Sequence, residues 1–117
     1  VEAEDIEEQG ADAILSGARF AGAVLDRTAF GAADLAGANF RLASLRRVFA
    51  DGADLTGADF IGAQMMEAQL HRANLARATL RGASLYGADL SDADLAGADL
   101  TGANLTNTVL ALETSHG

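Results

Sequence analysis

The chain is 117 residues long with a net charge of −9, and half of it is apolar although aromatics make up only 5 %. Cysteine and lysine are both absent, which excludes a disulfide framework, a thiol nucleophile, a P-loop lysine and a Schiff-base amine. No stretch approaches the roughly 18 apolar residues of a membrane-spanning helix, so a soluble, cytoplasmic protein with no membrane partner is expected.

Residues 1–12 are an acidic leader. Glu2, Glu4, Asp5, Glu7, Glu8 and Asp12 put −6 into twelve residues, whereas residues 13–112 hold ten acids and eight bases. Such a run is most often a solvated or capping segment. A short helix over the N-terminal end of the fold, with Ile6 turned inward, is the expectation for it. The first residue is valine, which suggests a trimmed chain or an excised domain and leaves open an export signal ahead of it.

Residues 13–112 repeat with a period of five. Of the twenty multiples of five from 15 to 110, eighteen are Leu or Phe, the exceptions being Ala50 and Met65. Two places earlier seventeen are Ala, with Thr28, Val48 and Thr108 departing; two places later ten are Gly. Neither a helix nor a strand needs such a period. Ala and Leu two apart lie on one side of an extended segment, and the alanine is small enough for the chain to bend over the leucine. The next two positions are rich in Gly, Ser, Thr, Asp and Asn, which favour turns. Each pentapeptide is therefore one side of a prism.

The stretch "ADLAGADLTGANL", residues 93–105, resembles the A(D/N)LXX consensus of the pentapeptide repeat family, and the resemblance covers residues 13–112. It implies an all-β fold, a right-handed quadrilateral parallel β-helix of about five coils, roughly 24 Å long at strand spacing. Four sides to a coil comes from the resemblance, since the period alone does not fix it. Residues twenty apart then stack. One core column is Leu15, Leu35, Leu55, Leu75 and Leu95; the next is Phe20, Phe40, Phe60, Leu80 and Leu100. The third is Leu25, Leu45, Met65, Leu85 and Leu105, and the fourth Phe30, Ala50, Leu70, Leu90 and Leu110. At Val48 and Ala50 the usual sizes are exchanged, so a local distortion is expected there, with Phe49 turned partly inward.

Outward positions offer little chemistry. His71 stacks beside Asp51 in one outer column, and a neighbour pair on a regular ladder explains this better than an acid–base pair does. His116 lies in the tail, residues 113–117. The aspartates come singly, without a D-x-D-x-D-G loop, and read as turn residues rather than calcium ligands. No catalytic residue, metal site or cofactor is expected. The arginines are expected to pair along the ladder, Asp26 with Arg46 and Arg72 with Asp92. No side exceeds +1, which argues against nucleic acid as a partner.

Apolar residues at outward positions are the candidate protein contacts: Met66 and Tyr86 in one column, Leu42 and Ile61 on the neighbouring side, Val109 and Leu112 on the last coil. An open solenoid end exposes unpaired edges, so a homodimer through the C-terminal coil, or docking against a following segment, is expected. Two functions follow. The first is a non-enzymatic scaffold for a protein partner, such as a module of a larger bacterial protein, a secreted effector or its accessory protein. The second follows from the resemblance to family members that mimic B-form DNA and protect gyrase from quinolones, with gyrase as partner. Asp89, Asp92, Asp94 and Asp99 are the candidate mimic acids. Charge distribution ranks the scaffold first, because most of the acidity lies outside the repeats.

Overall fold

Where Asp or Asn precedes a core residue in the middle coils, the pentapeptide accounts for its five backbone N–H groups in one recurring way, and this builds the fold. Around Leu35, the amide of Leu35 donates to the carbonyl of Asp54 (2.7 Å) and that of Gly37 to Thr56 (2.8 Å), both on the following coil. The Asn39 amide donates to Ala18 on the preceding coil (2.9 Å), and the Ala38 amide closes a turn on the Leu35 carbonyl (3.0 Å). The fifth, on Ala36, donates to the side-chain Oδ1 of Asp34 (3.2 Å). All nine Asp or Asn residues directly before a core residue between 34 and 104 accept the N–H two residues on in this way. That is the physical reason for the Asp or Asn in the repeat: without it one donor per pentapeptide must find an acceptor elsewhere or go without a protein partner.

The computed structural model describes residues 14–110; the expectations for the leader, the tail and Leu112 fall outside them. Parallel bridges join each residue before a core position to the one twenty further on, from Ile14↔Asp34 to Asp89↔Val109. Four pentapeptides therefore complete one turn. The sides are numbered in chain order from the columns of Leu15, Phe20, Leu25 and Phe30. Among the described residues no bridge extends into a longer strand, because the chain turns before a second residue can pair.

Every corner from residue 17 to residue 107 has positive φ at the second position after the core residue, and nowhere else in the repeat. Positive φ there alone is the type II turn, which favours glycine. Ten corners have it; nine do not, among them Arg27, Leu42, Arg47, Glu67 and Arg77. An L-residue held in this region costs about 1–2 kcal/mol.

The interior is a ladder of side chains. Phe20, Phe40 and Phe60 stack at centroid separations of 5.2 and 5.0 Å with planes 16° and 2° apart. Phe30 meets Phe40 edge-on at 6.1 Å. Core positions from Phe20 to Leu90 are buried, while Leu15, Leu95, Leu100 and Leu105 are partly covered and Leu110 is exposed.

The distortion expected at Val48–Ala50 is absent. Phe49 bridges Ala29 and Gln69 in register, and its N–H donates to Thr28 (2.9 Å) while that of Ala50 donates to Gln69 (2.8 Å). Phe49 points outward and is 44 % exposed. Val48 is buried and makes up part of the volume that Ala50 lacks. A cavity of about 10 Å³ remains, lined by Phe30, Leu45, Leu70 and their neighbours. That is at most one water's room between apolar walls, so the backbone has no reason to move.

Candidate functional site

With the interior filled, any site must lie on the corners and sides of the prism. Charge is split around it. The second side, with its corner, carries Arg19, Arg41 and Arg81 against Asp59 and Asp99; the third carries Arg27, Arg46 and Arg47 against Asp26 and Glu67. The first carries Asp34, Asp54 and Asp94 against Arg77, and the fourth Asp51, Asp89 and Asp92 against Arg72. Two adjacent sides are thus mildly basic and the other two acidic.

The arginines do not pair as expected. The Asp26 carboxylate accepts the backbone N–H of Arg46 (3.0 Å) and the Ser44 hydroxyl (2.6 Å), while the Arg46 guanidinium donates to Gln64 (2.9 Å). No ion pair joins Arg72 to Asp92 among the described residues. The observed pairs are Arg47–Glu67 at 2.7 Å, Arg41–Asp59 at 2.9 Å and a longer Arg81–Asp99 contact at 3.9 Å. Arg41 and Arg81 reach diagonally across their side to Asp59 and Asp99, whose Oδ1 accepts a turn N–H while Oδ2 faces the guanidinium.

His71 sits where the ladder places it. Its backbone N–H donates to Asp51 (3.1 Å), and its Nδ1 lies 2.8 Å from Ser91 Oγ. The Ser91 hydroxyl donates its only proton to Asp89 (2.6 Å). Nδ1 must then be the donor to Ser91, the reverse of a nucleophilic serine, which gives its proton to histidine. The Ser91 hydroxyl, and secondarily its N–H, hold the Asp89 carboxyl below the usual range. This chain of bonds is a clamp on a corner.

Asp94 and Asp99 are turn acceptors as well, for Ala96 and for Thr101. Of the four candidate mimic acids only Asp92, at positive φ on a corner, projects without such a bond among the described residues. Leu42 is 68 % exposed and lies over Gly62, its N–H bonded to the Ile61 carbonyl (2.9 Å). Met66 and the exposed Tyr86, whose hydroxyl accepts from Asn107 (3.1 Å), follow the next corner. The bridge row Val24–Ser44–Gln64–Ser84 runs between the two strips, so they flank the third side rather than merge. Val109 is exposed. Val24, 72 % exposed, and Ile14 were not singled out from the sequence; the signal was an apolar residue where Asp or Asn usually stands.

A groove of about 640 Å³ follows the corner after the third side, lined by Asp26, Arg27, Arg46, Arg47, Met66 and Glu67. Among the described residues no group of three or more His, Asp or Glu is placed to hold a metal, and no helix is long and apolar enough to cross a membrane.

The pentapeptide repeat model matches residues 13–49, 33–72 and 68–107, in 8 copies. The chain belongs to the pentapeptide repeat family. Among solved structures it is similar to HetL, a pentapeptide repeat protein involved in heterocyst differentiation regulation from the cyanobacterium Nostoc sp. strain PCC 7120. That match has 31 % identity and a TM-score of 0.62, and covers 92 % of this chain and 56 % of HetL. This pentapeptide repeat chain thus spans little more than half of HetL's length. QnrB1, a plasmid-mediated fluoroquinolone resistance protein, matches at 18 % identity and a TM-score of 0.53, over 83 % of this chain and 60 % of QnrB1, a likeness of fold. A pentapeptide repeat protein of the Arabidopsis thaliana thylakoid lumen is 29 % identical with a TM-score of 0.49, over 92 % of this chain and 69 % of that one. No curated protein matches the chain by sequence. The family and its solved members imply the right-handed quadrilateral β-helix.

Proposed function

We propose that this pentapeptide repeat chain is a non-enzymatic scaffold of about five coils that binds a protein partner through its third side and the corners beside it. The observation that carries the reading is the exposure of Val24 and Leu42 at outward positions where Asp, Asn or Gly is the commonest choice of the repeat. Val24 bridges Ser44, two residues after Leu42, so Val24 stands on the third side and Leu42 on the corner that leads into it. Large apolar groups on a rigid frame are what a partner can bury. HetL's association with the regulation of differentiation supports a role in regulation by contact.

A gyrase-binding mimic is disfavoured. Asp89, Asp94 and Asp99 are bound to their own turns, and arginines interrupt the negative surface.

The test is quantitative capture from cells that carry the gene, with the parent chain and with the Val24→Glu, Leu42→Glu double variant. A stoichiometric partner held by the parent and lost by the variant is the expected result. Identical capture by both chains, or inhibition of gyrase supercoiling by the parent, would contradict the reading.

A further inference from the structure

The corner after the third side is built differently from the others. Ala32, Leu42 and Arg77, held at positive φ on the other corners, are each followed one coil on by glycine, whose missing Cβ gives room: Leu42 leans over Gly62 and Arg77 over Gly97. At this corner Arg27, Arg47 and Glu67 follow one another directly before Gly87, all at positive φ, and among the described residues no other corner runs more than two deep. The chain thus places three L-residues in succession in a conformation that disfavours each of them. Strain concentrated in this way is characteristic of functional sites.

The charges are incompletely matched too. Arg47 pairs with Glu67, and the Asp26 carboxylate is taken by Ser44 and the Arg46 backbone. Arg46 reaches only the neutral Gln64, and Arg27 has no ion pair among the described residues. Two guanidinium groups therefore line a groove of about 640 Å³ without a carboxylate of their own. Met66 forms its wall, and Tyr86 lies one coil further on the same corner.

We infer that this groove binds an acidic polypeptide segment of a partner protein, with carboxylates on Arg27 and Arg46 and an apolar side chain against Met66. Guanidinium forks suit carboxylates by shape as well as charge, and the apolar wall gives an anchor that a nucleic acid backbone does not use. The inference rests on the scaffold reading and deepens it. The two fail separately, because the capture experiment alters Val24 and Leu42, outside this groove.

The probe is a fluorescein-labelled peptide of Glu and Asp with interspersed isoleucines, titrated into the full chain by anisotropy. A Gln-for-Glu version and a short DNA duplex are the comparison arms. The key variant is Arg27→Gly with Arg46→Gln, since glycine relieves the positive φ at 27, glutamine keeps an uncharged donor beside Gln64, and the chain stays folded. The acidic peptide is expected to bind, about tenfold more weakly to this variant and more weakly as salt rises, while the Gln version does not bind. The variant's melting temperature is expected to rise. Absence of peptide binding, binding indifferent to the variant, equal binding of the duplex, or a lower melting temperature for the variant would each overturn the inference.

Discussion

The carboxylate of Asp26 accepts the backbone N–H of Arg46 at 3.0 Å, one full coil away in the chain. Arg46 follows Ser44, which occupies a position where Asp or Asn usually takes this very donor. The same substitution recurs at the next corner, where Asp51 accepts the N–H of His71 (3.1 Å) because Gln69 replaces the Asp or Asn. A short carboxylate on the coil below thus replaces a missing acceptor on the coil above.

Asp26→Ala should therefore cost about 0.5–1.5 kcal/mol, the range of one hydrogen bond. Adding Ser44→Asn restores a local acceptor, as Asn39 provides for Arg41 at 2.9 Å. The double variant should recover most of that loss in chemical denaturation, and additive losses would count against this role for Asp26.

Corner conformation reverses the usual ranking of Ala and Gly. Ala32 sits at φ 58°, and Gly52, one coil on, at φ 70° with nothing within 4 Å of a Cβ built there. Ala32→Gly should stabilise by up to about 1 kcal/mol, whereas Gly52→Ala should cost about 1–2 kcal/mol. Thermal melts of the two variants decide it; a loss on Ala32→Gly would show that this corner is not strained.

Leu75 is fully buried in the middle of its column. Leu75→Ala should cost about 2–5 kcal/mol, the sum of lost transfer energy and the cavity left behind. Ala96→Thr, on an exposed corner after Asp94, should change stability by less than about 0.5 kcal/mol. Comparable effects of the two would contradict the assignment of inside and outside.

Three turn carboxylates are held below their ordinary value of 3.8, each chiefly by a hydroxyl two residues on and then by the N–H of the same residue: Asp54 by Thr56, Asp89 by Ser91 and Asp99 by Thr101. With the folded pKa below the unfolded one, their stabilisation is complete above 3.8 and is lost as pH falls through the folded values. The melting temperature should stay level from neutral pH to about 5 and drop below about 4. Thr56→Val with Ser91→Ala should make that drop shallower, and an unchanged acid limb would rule these turns out as its source.

The register, the core columns and the turn role of Asp and Asn were legible because steric size and turn chemistry repeat at every fifth residue without a slip. The partners of the arginines were not. Whether Arg46 reaches Asp26 or Gln64 depends on which acceptor the backbone has already claimed, and exposed pairs differ by under about 1 kcal/mol. Phe49 was misread because the exchange of Val48 and Ala50 looked like strain, whereas the bridge row holds its backbone and the core tolerates a small void. The Arg27–Arg47–Glu67 corner was visible in principle as three non-glycines in succession at a repeat position where glycine is the commonest residue. Its meaning depends on φ, which no composition reports.

Both the fold and the groove rest on the twenty-residue register, since only that spacing puts Arg27, Arg47 and Glu67 on one corner. The most direct measurement is the scalar coupling across backbone hydrogen bonds by NMR in the uniformly labelled chain. Couplings are expected from the amide nitrogen of Leu75 to the carbonyl carbon of Asp94 and from that of Arg47 to that of Met66, bonds of 2.7 and 2.9 Å. Couplings offset from these by one or more pentapeptides would contradict the register, and with it the corner on which the groove is built.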